Sequence, residues 1–89
     1  MGRIKWHGSC DAKRQSPLAK HIGSQLLRAR EKHQLTIRET AKRVGISNAF
    51  VCQIENGQSV PGAEILWKLS RTFDVPVTYW FRGFTDDNG

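Results

Sequence analysis

Histidine and cysteine side chains are candidate metal ligands and nucleophiles in this 89-residue chain. His7 and Cys10 lie close together, but no second pair of ligands follows at the spacing of a zinc site. His21 and His33 lie on one predicted helix, at a separation that does not bring their side chains together. We therefore expect no metal site and no cofactor.

Disulfide-stabilised and catalytic classes are also disfavoured. Cys10 and Cys52 are the two cysteines, whereas a secreted fold of this size held by disulfides usually carries about four or more; a single bridge between them is the alternative. No nucleophile lies at a plausible spacing from a base, and the paired acids Asp86 and Asp87 fall in a polar tail. We expect a protein that is not an enzyme.

Charge is distributed unevenly along the chain. Residues 1–43 carry eleven lysines and arginines against three acidic residues, a net charge of +8, whereas residues 44–89 have a net charge of −2. A basic half is typical of proteins that bind a polyanion, although an anionic membrane surface or an acidic protein would also fit. No apolar run approaches the roughly 20 residues of a membrane span, and no amphipathic helix exposes a bulky apolar face, so we expect no membrane partner.

The N-terminal part contains an arm and a first helix. Residues 1–15 have no helical period and are expected to form a basic arm. Ser16 and Pro17 then place an N-cap residue before a proline at the first helical position. Apolar residues have helical spacing from Leu18 onward, which predicts a helix to about His33.

Two short helices follow, joined by a tight turn. Thr36 and Glu39 have the spacing of a capping box, which predicts a second helix over residues 36–44 that ends at Gly45. Ser47 has the position of the next N-cap, which predicts a third helix over residues 47–56.

The residues of this segment suit a close crossing of two helices. Ala41 is small where the third helix must cross the second, and Gly45 permits the left-handed backbone of a tight turn. Val51 and Ile54 would fill the space between the helices. This combination predicts a helix-turn-helix.

The remainder of the chain completes an all-α fold. Pro61 and Gly62 open a fourth helix, whose apolar residues up to Phe73 have core spacing. Residues 77–81 are predicted to form a short fifth helix, and residues 85–89 a polar tail. The sequence thus predicts five short helices in one domain over residues 16–84.

The run LTIRETAKRVGISNAFVCQIENG, followed by VPGAEILWKLSRTFDVPVTYW, resembles the Cro/C1-type helix-turn-helix family of lambdoid phage repressors and xenobiotic-response-element-like regulators. The resemblance covers roughly residues 20–83. It implies a five-helix lambda-repressor-like domain whose third helix is a recognition helix for the major groove of duplex DNA, usually in a dimer.

The resemblance assigns DNA contacts to the third helix and its surroundings. Asn48 and Gln53 could each pair with the N6 and N7 atoms of adenine, and Ala49 and Phe50 could contact a thymine methyl group. Cys52 is a weaker candidate on the same face. Phosphate contacts are expected from a second group of residues, partly through backbone amides: Arg38, Ser47, Asn56, Gln58 and Ser59.

The chain departs from the family pattern at two places. Ile37 stands where the family usually has a glutamine that grips a phosphate, so that contact is lost or moves to Arg38; alternatively, Ile37 simply packs inward. The arm is longer than the bare domain needs. Its basic residues could track the backbone or enter the minor groove, the alternative being a solvated tail: Arg3, Lys5, Lys13 and Arg14.

Two further groups of residues have expected roles. The family places an arginine of helix one against a glutamate of the recognition helix, and Arg30 with Glu55 match those positions as a structural ion pair. Near the C-terminus four aromatic residues fall within a short segment. One or two would cap the core, and we expect this group to form a dimer interface: Tyr79, Trp80, Phe81 and Phe84.

These features predict a sequence-specific transcriptional regulator, a repressor or a dual regulator, that binds double-stranded DNA as a homodimer on a palindromic operator. The chain has no apolar signal-peptide stretch, so we expect it in the cytoplasm, associated with the nucleoid. No small-molecule ligand is evident. The alternative is an antitoxin or accessory module that holds a protein partner and binds DNA only secondarily. A long tail after the domain would favour that alternative.

Overall fold

The computed structural model describes residues 16–85, and the basic arm lies outside this range. Four α-helices are followed by one 3₁₀ helix, and residues 16–85 contain no strand. The elements are α1 (Pro17–Lys32), α2 (Ile37–Val44), α3 (Asn48–Glu55), α4 (Ala63–Phe73) and the 3₁₀ helix (Val77–Phe81). The predicted all-α fold is confirmed. No helix within residues 16–85 is long and apolar enough to cross a membrane.

Side-chain caps begin the first two helices where the sequence predicts them. The hydroxyl of Ser16 accepts a hydrogen bond from the backbone N–H of Ala19 at 3.0 Å. The Thr36 hydroxyl accepts from the Glu39 amide at 3.0 Å, and the Glu39 carboxylate accepts from the Thr36 amide at 2.9 Å. These bonds satisfy N–H groups that have no partner inside the helix.

The short fifth helix predicted over residues 77–81 is present, and its form is 3₁₀. The amides of Tyr79 and Arg82 donate to carbonyls three residues earlier, at 2.9 and 3.2 Å. Such short runs commonly adopt the tighter 3₁₀ form. The Gln25 side-chain amide also donates to the Tyr79 carbonyl at 2.9 Å, which ties this segment to α1. Tertiary contacts therefore help to hold its backbone.

Trp80 lies at the centre of the core, which corrects its expected place in an exposed interface. Its side chain is 0% exposed and is the largest fully buried side chain of the described residues. The indole N–H donates to the Ser70 hydroxyl at 2.8 Å, and Ser70 in turn donates to the Leu66 carbonyl. Since the only polar atom of the indole is satisfied, burying the ring carries no unpaired donor. Phe73 packs edge-on against it.

Candidate nucleic-acid interface

A left-handed glycine turn joins α2 to α3. Gly45 has φ +84°, and the amides of Gly45 and Ile46 both donate to the Ala41 carbonyl, at 2.8 and 3.0 Å. An L-residue with a side chain rarely adopts this conformation. Ala41, Val51 and Ile54 are buried as predicted, so the two helices cross around small and branched apolar side chains.

The outer face of α3 exposes short polar and apolar side chains. Asn48, Ala49 and Asn56 are exposed, and Gln53 is half-buried. Residues 49, 53 and 56 point away from the buried residues Val51 and Ile54, because 3.6 residues complete a helical turn. Amide groups on such a face present donors and acceptors in the pattern that base edges require.

Two other residues of α3 are less exposed. Phe50 is half-buried and packs against the core, so only part of its ring faces outward. Cys52 is half-buried as well, and the Asn56 side-chain amide lies 3.4 Å from its sulfur. The outward contribution of the helix therefore comes mainly from its amide side chains and from Ala49.

A bidentate ion pair fixes α3 against α1. Arg30 Nε lies 2.7 Å from Glu55 Oε2, and Arg30 Nη2 donates to Oε1 at 3.2 Å. The third nitrogen, Nη1, donates to the Leu35 carbonyl at 3.0 Å. The side chains are only 17% and 10% exposed, and the hydrogen bond to Glu55 raises the pKa of the Arg30 guanidinium. The pair orients α3, and the bond to Leu35 anchors the loop before α2. The guanidinium and the carboxylate bind each other in place of solvent.

The residues expected to contact phosphates differ in their exposure and in their hydrogen bonds. Arg38 is exposed at the second position of α2, while Ile37 packs against the core, as its inward-packing alternative supposed. The Ser47 hydroxyl accepts from the Phe50 amide as an N-cap. Ser59 is half-buried in the loop before α4.

The backbone amide of Gln58 is not available to a phosphate, contrary to our expectation. It donates to the Gln53 carbonyl at 2.9 Å, and the Gly57 amide donates to the Ile54 carbonyl at 3.0 Å. These bonds satisfy the last carbonyls of α3, because Gly57 adopts φ +78°. A contact from Gln58 would have to come from its side chain, whose Oε1 is buried without a hydrogen-bond partner.

The basic arm lies outside the described residues. Its four expected DNA contacts, Arg3, Lys5, Lys13 and Arg14, therefore have no structural description.

Comparison with known proteins identifies the family to which this fold belongs. A family model described as helix-turn-helix (HTH_3) matches residues 26–80, which is more than half of the chain. The chain belongs to the helix-turn-helix family. The resemblance to Cro/C1-type regulators is confirmed by this match.

Relatives of this helix-turn-helix chain are named as regulators. It is 35% identical over 57 residues to an uncharacterized HTH-type transcriptional regulator of Sinorhizobium fredii, covering 64% of this chain and 29% of that protein. It is 30% identical over 61 residues to the HTH-type transcriptional regulator SutR of Escherichia coli, covering 68% of this chain and 34% of that protein. The chain thus spans about a third of the length of these curated relatives.

A solved structure has a similar fold. The crystal structure of an HTH_3 family transcriptional regulator from Vibrio cholerae aligns with a TM-score of 0.67 at 29% identity. The alignment covers 74% of this chain and 38% of that chain.

The helix-turn-helix chain keeps part of the expected aromatic patch on its surface. Phe81 is 40% exposed, and Tyr79 and Phe84 are half-buried. Phe84 lies against the His21 ring, with 5.5 Å between ring centroids. Val77, the first residue of the 3₁₀ helix, is also exposed.

Proposed function

We propose that this helix-turn-helix protein is a sequence-specific regulator of transcription that binds double-stranded DNA through α3. The observation that carries the proposal is the outward side of α3, where Asn48 and Gln53 lie on a helix held by the Arg30–Glu55 pair and Asn56 follows as its C-cap residue. An α-helix fits the major groove, and amide side chains can read adenine there. Its site of action is then the DNA of the nucleoid, in the cytoplasm.

The second part of the proposal is that the protein represses transcription as a homodimer on a palindromic operator. One recognition helix reads only a few base pairs, which is too little to select one site in a genome. Two copies related by a two-fold axis would place two α3 helices about 34 Å apart, one turn of DNA. The interface we propose contains Val77, Tyr79, Phe81 and Phe84 and excludes the buried Trp80.

DNA contacts fall into two classes in this proposal. Gln53 contacts a base edge, while Asn56, at the end of α3, contacts a phosphate together with Arg38, Ser47 and Ser59. Base contacts carry sequence information, whereas phosphate contacts set position and affinity for any sequence.

A comparison of two alanine variants tests this division on a bound duplex and its single-base variants. Gln53→Ala should lose about 1–3 kcal/mol of discrimination at one position in each half-site. Asn56→Ala should weaken binding to every duplex by a similar factor. Identical profiles for the two variants would contradict the assignment, and wild-type binding that does not weaken as salt rises would contradict the phosphate contacts.

A further inference from the structure

A basic groove lies between the end of α2 and the second half of α4, with a volume of about 390 Å³. Its walls contain four cationic side chains, and none of the residues that line it is acidic. No residue of α3 lines this groove, so it is separate from the proposed DNA-binding face. We define the basic groove by five residues: Lys42, Arg43, Trp67, Lys68 and Arg71.

Trp67 is the main apolar element of the basic groove. Its side chain is 52% exposed, the highest value among the large hydrophobic residues described. The Arg71 guanidinium lies over its ring, 5.2 Å from the centroid. The core side of α4 is formed by Leu66, Leu69 and Phe73, so Trp67 adds nothing to the core and faces outward.

The positive charge of the basic groove is only weakly compensated. Lys68 approaches Glu64 at 3.6 Å, but both side chains are exposed, and such a pair contributes little. Arg43 has an electrostatic interaction with Glu39, one turn earlier on α2. Among residues 16–85, neither Lys42 nor Arg71 forms an ion pair. A cleft with charge of one sign attracts ligands of the opposite sign.

We propose that the basic groove docks an acidic segment of a partner protein. Carboxylates of that segment would contact the four cations, and an apolar or aromatic side chain beside them would pack on Trp67. Arg71 already covers one face of the Trp67 ring, the kind of surface on which an unpaired nucleic-acid base stacks. Duplex DNA offers phosphates, but its apolar groups, the thymine methyls, lie inside the major groove, which the proposed function assigns to α3. The combination therefore favours a polypeptide.

The direct test titrates the isotope-labelled protein with a synthetic peptide of Asp and Glu residues that has one central Phe. Binding should shift the Trp67 indole N–H and the amides of residues 42–45 and 67–72, and leave those of α3 unchanged. Affinity should fall as salt rises, because the groove is open to solvent. A second peptide with Ala in place of Phe should bind more weakly to the wild type.

Matched variants distinguish the groove from general attraction to a basic protein. Lys42→Glu with Arg71→Glu should weaken peptide binding about tenfold, since both changes reverse charges at the site. Arg28→Glu with Lys32→Glu makes the same change in net charge on exposed positions of α1 and should have a much smaller effect. Trp67→Ala should remove the difference between the Phe and Ala peptides.

Three results would overturn the proposal. The first is equal peptide affinity for the two charge-reversed proteins, and the second is a persistent preference for the Phe peptide in Trp67→Ala. The third is that duplex DNA in place of the peptide shifts the groove resonances and is weakened only by the groove reversal, which would make the groove a nucleic-acid site. The first two results leave the proposal for α3 unaffected, because the two sites share no residue, whereas the third would also contradict α3 as the DNA-binding element.

Discussion

Gly23 of α1 lies directly against the backbone of Glu55 in α3, so that a Cβ atom at position 23 would come within 2.7 Å of the Glu55 carbonyl oxygen. The same Cβ atom would also clash with the Ile54 carbonyl oxygen. Only a residue without a side chain permits this approach of the two helices. Gly23 therefore sets the distance at which α3 is held, and the neighbouring Arg30–Glu55 pair sets its orientation.

Replacing Gly23 by alanine is expected to destabilise the protein, although alanine is the better helix former. The added methyl group meets backbone atoms, which cannot move away as a flexible side chain can, and overpacking of this kind costs about 1–3 kcal/mol. Denaturant unfolding measures the change. Ser24→Ala, at the next and exposed position of α1, is the control and should be close to neutral. Similar stability of Gly23→Ala and wild type would contradict the close approach.

Removing the Glu55 carboxylate leaves Arg30 with an unpaired charge in a largely buried position. We expect Glu55→Ala to lower the free energy of unfolding by about 1–3 kcal/mol. The double variant Arg30→Met with Glu55→Leu should lose less, because it leaves no unpaired charge. Thermal melts of the three proteins give the comparison. A double variant that is less stable than Glu55→Ala would show that the ion pair stabilises the fold by more than the free-energy cost of removing its two charges from water.

The capping box makes α2 sensitive to acid. The hydrogen bond from the Thr36 amide lowers the pKa of Glu39 below its ordinary value. A folded-state pKa below the unfolded value means that the ionised carboxylate stabilises the fold above the unfolded pKa, and that this stabilisation is lost as the pH falls through the folded pKa. Glu39→Gln should thus be less stable than wild type at neutral pH and equally stable in strong acid. A difference in stability between Glu39→Gln and wild type that does not change with pH would show that ionisation of Glu39 is not its cause.

The neighbouring residues Trp80 and Phe81 have different expected roles, Trp80 in the core and Phe81 in the proposed dimer interface. Phe81→Glu should give a folded monomer, because this side chain is exposed and lies in the interface of the proposed dimer and not in the core. Trp80→Glu should instead unfold the protein, since it places a charge in the buried centre. Light scattering and thermal melts report mass and folding. Leu27→Glu, with a similar exposure of 37% on α1, is the control and should remain dimeric. A wild-type monomer at micromolar concentration, or a dimeric Phe81→Glu protein, would contradict the interface.

Local signals in the sequence were sufficient for the helix boundaries near their caps. Thr36, Glu39 and Gly45 act on atoms three or four residues away, so their effect is readable along the chain. The same holds for Ser16 and Ser47 as N-caps. These residues located the helix-turn-helix without any knowledge of tertiary contacts.

Tertiary relationships could not be read in this way. Trp80 is the fully buried one of the four clustered aromatic residues, and its hydrogen bond to Ser70 forms only when α4 and the 3₁₀ helix pack together. The 3₁₀ form of residues 77–81 is held partly by Gln25, more than 50 positions earlier. The basic groove arises only when α2 and α4 pack together, because its cations are far apart in the sequence.

The most direct test of the central claim is selection of bound sequences from a random pool of duplex DNA, using the wild-type protein at moderate salt. We expect enrichment of one motif with two-fold symmetry, whose half-sites lie about 10 base pairs apart, centre to centre. Gln53→Ala should enrich a motif that is relaxed at one position in each half-site. A pool that stays random after repeated rounds would contradict sequence-specific recognition by α3, and an enriched motif without symmetry would contradict binding as a two-fold dimer.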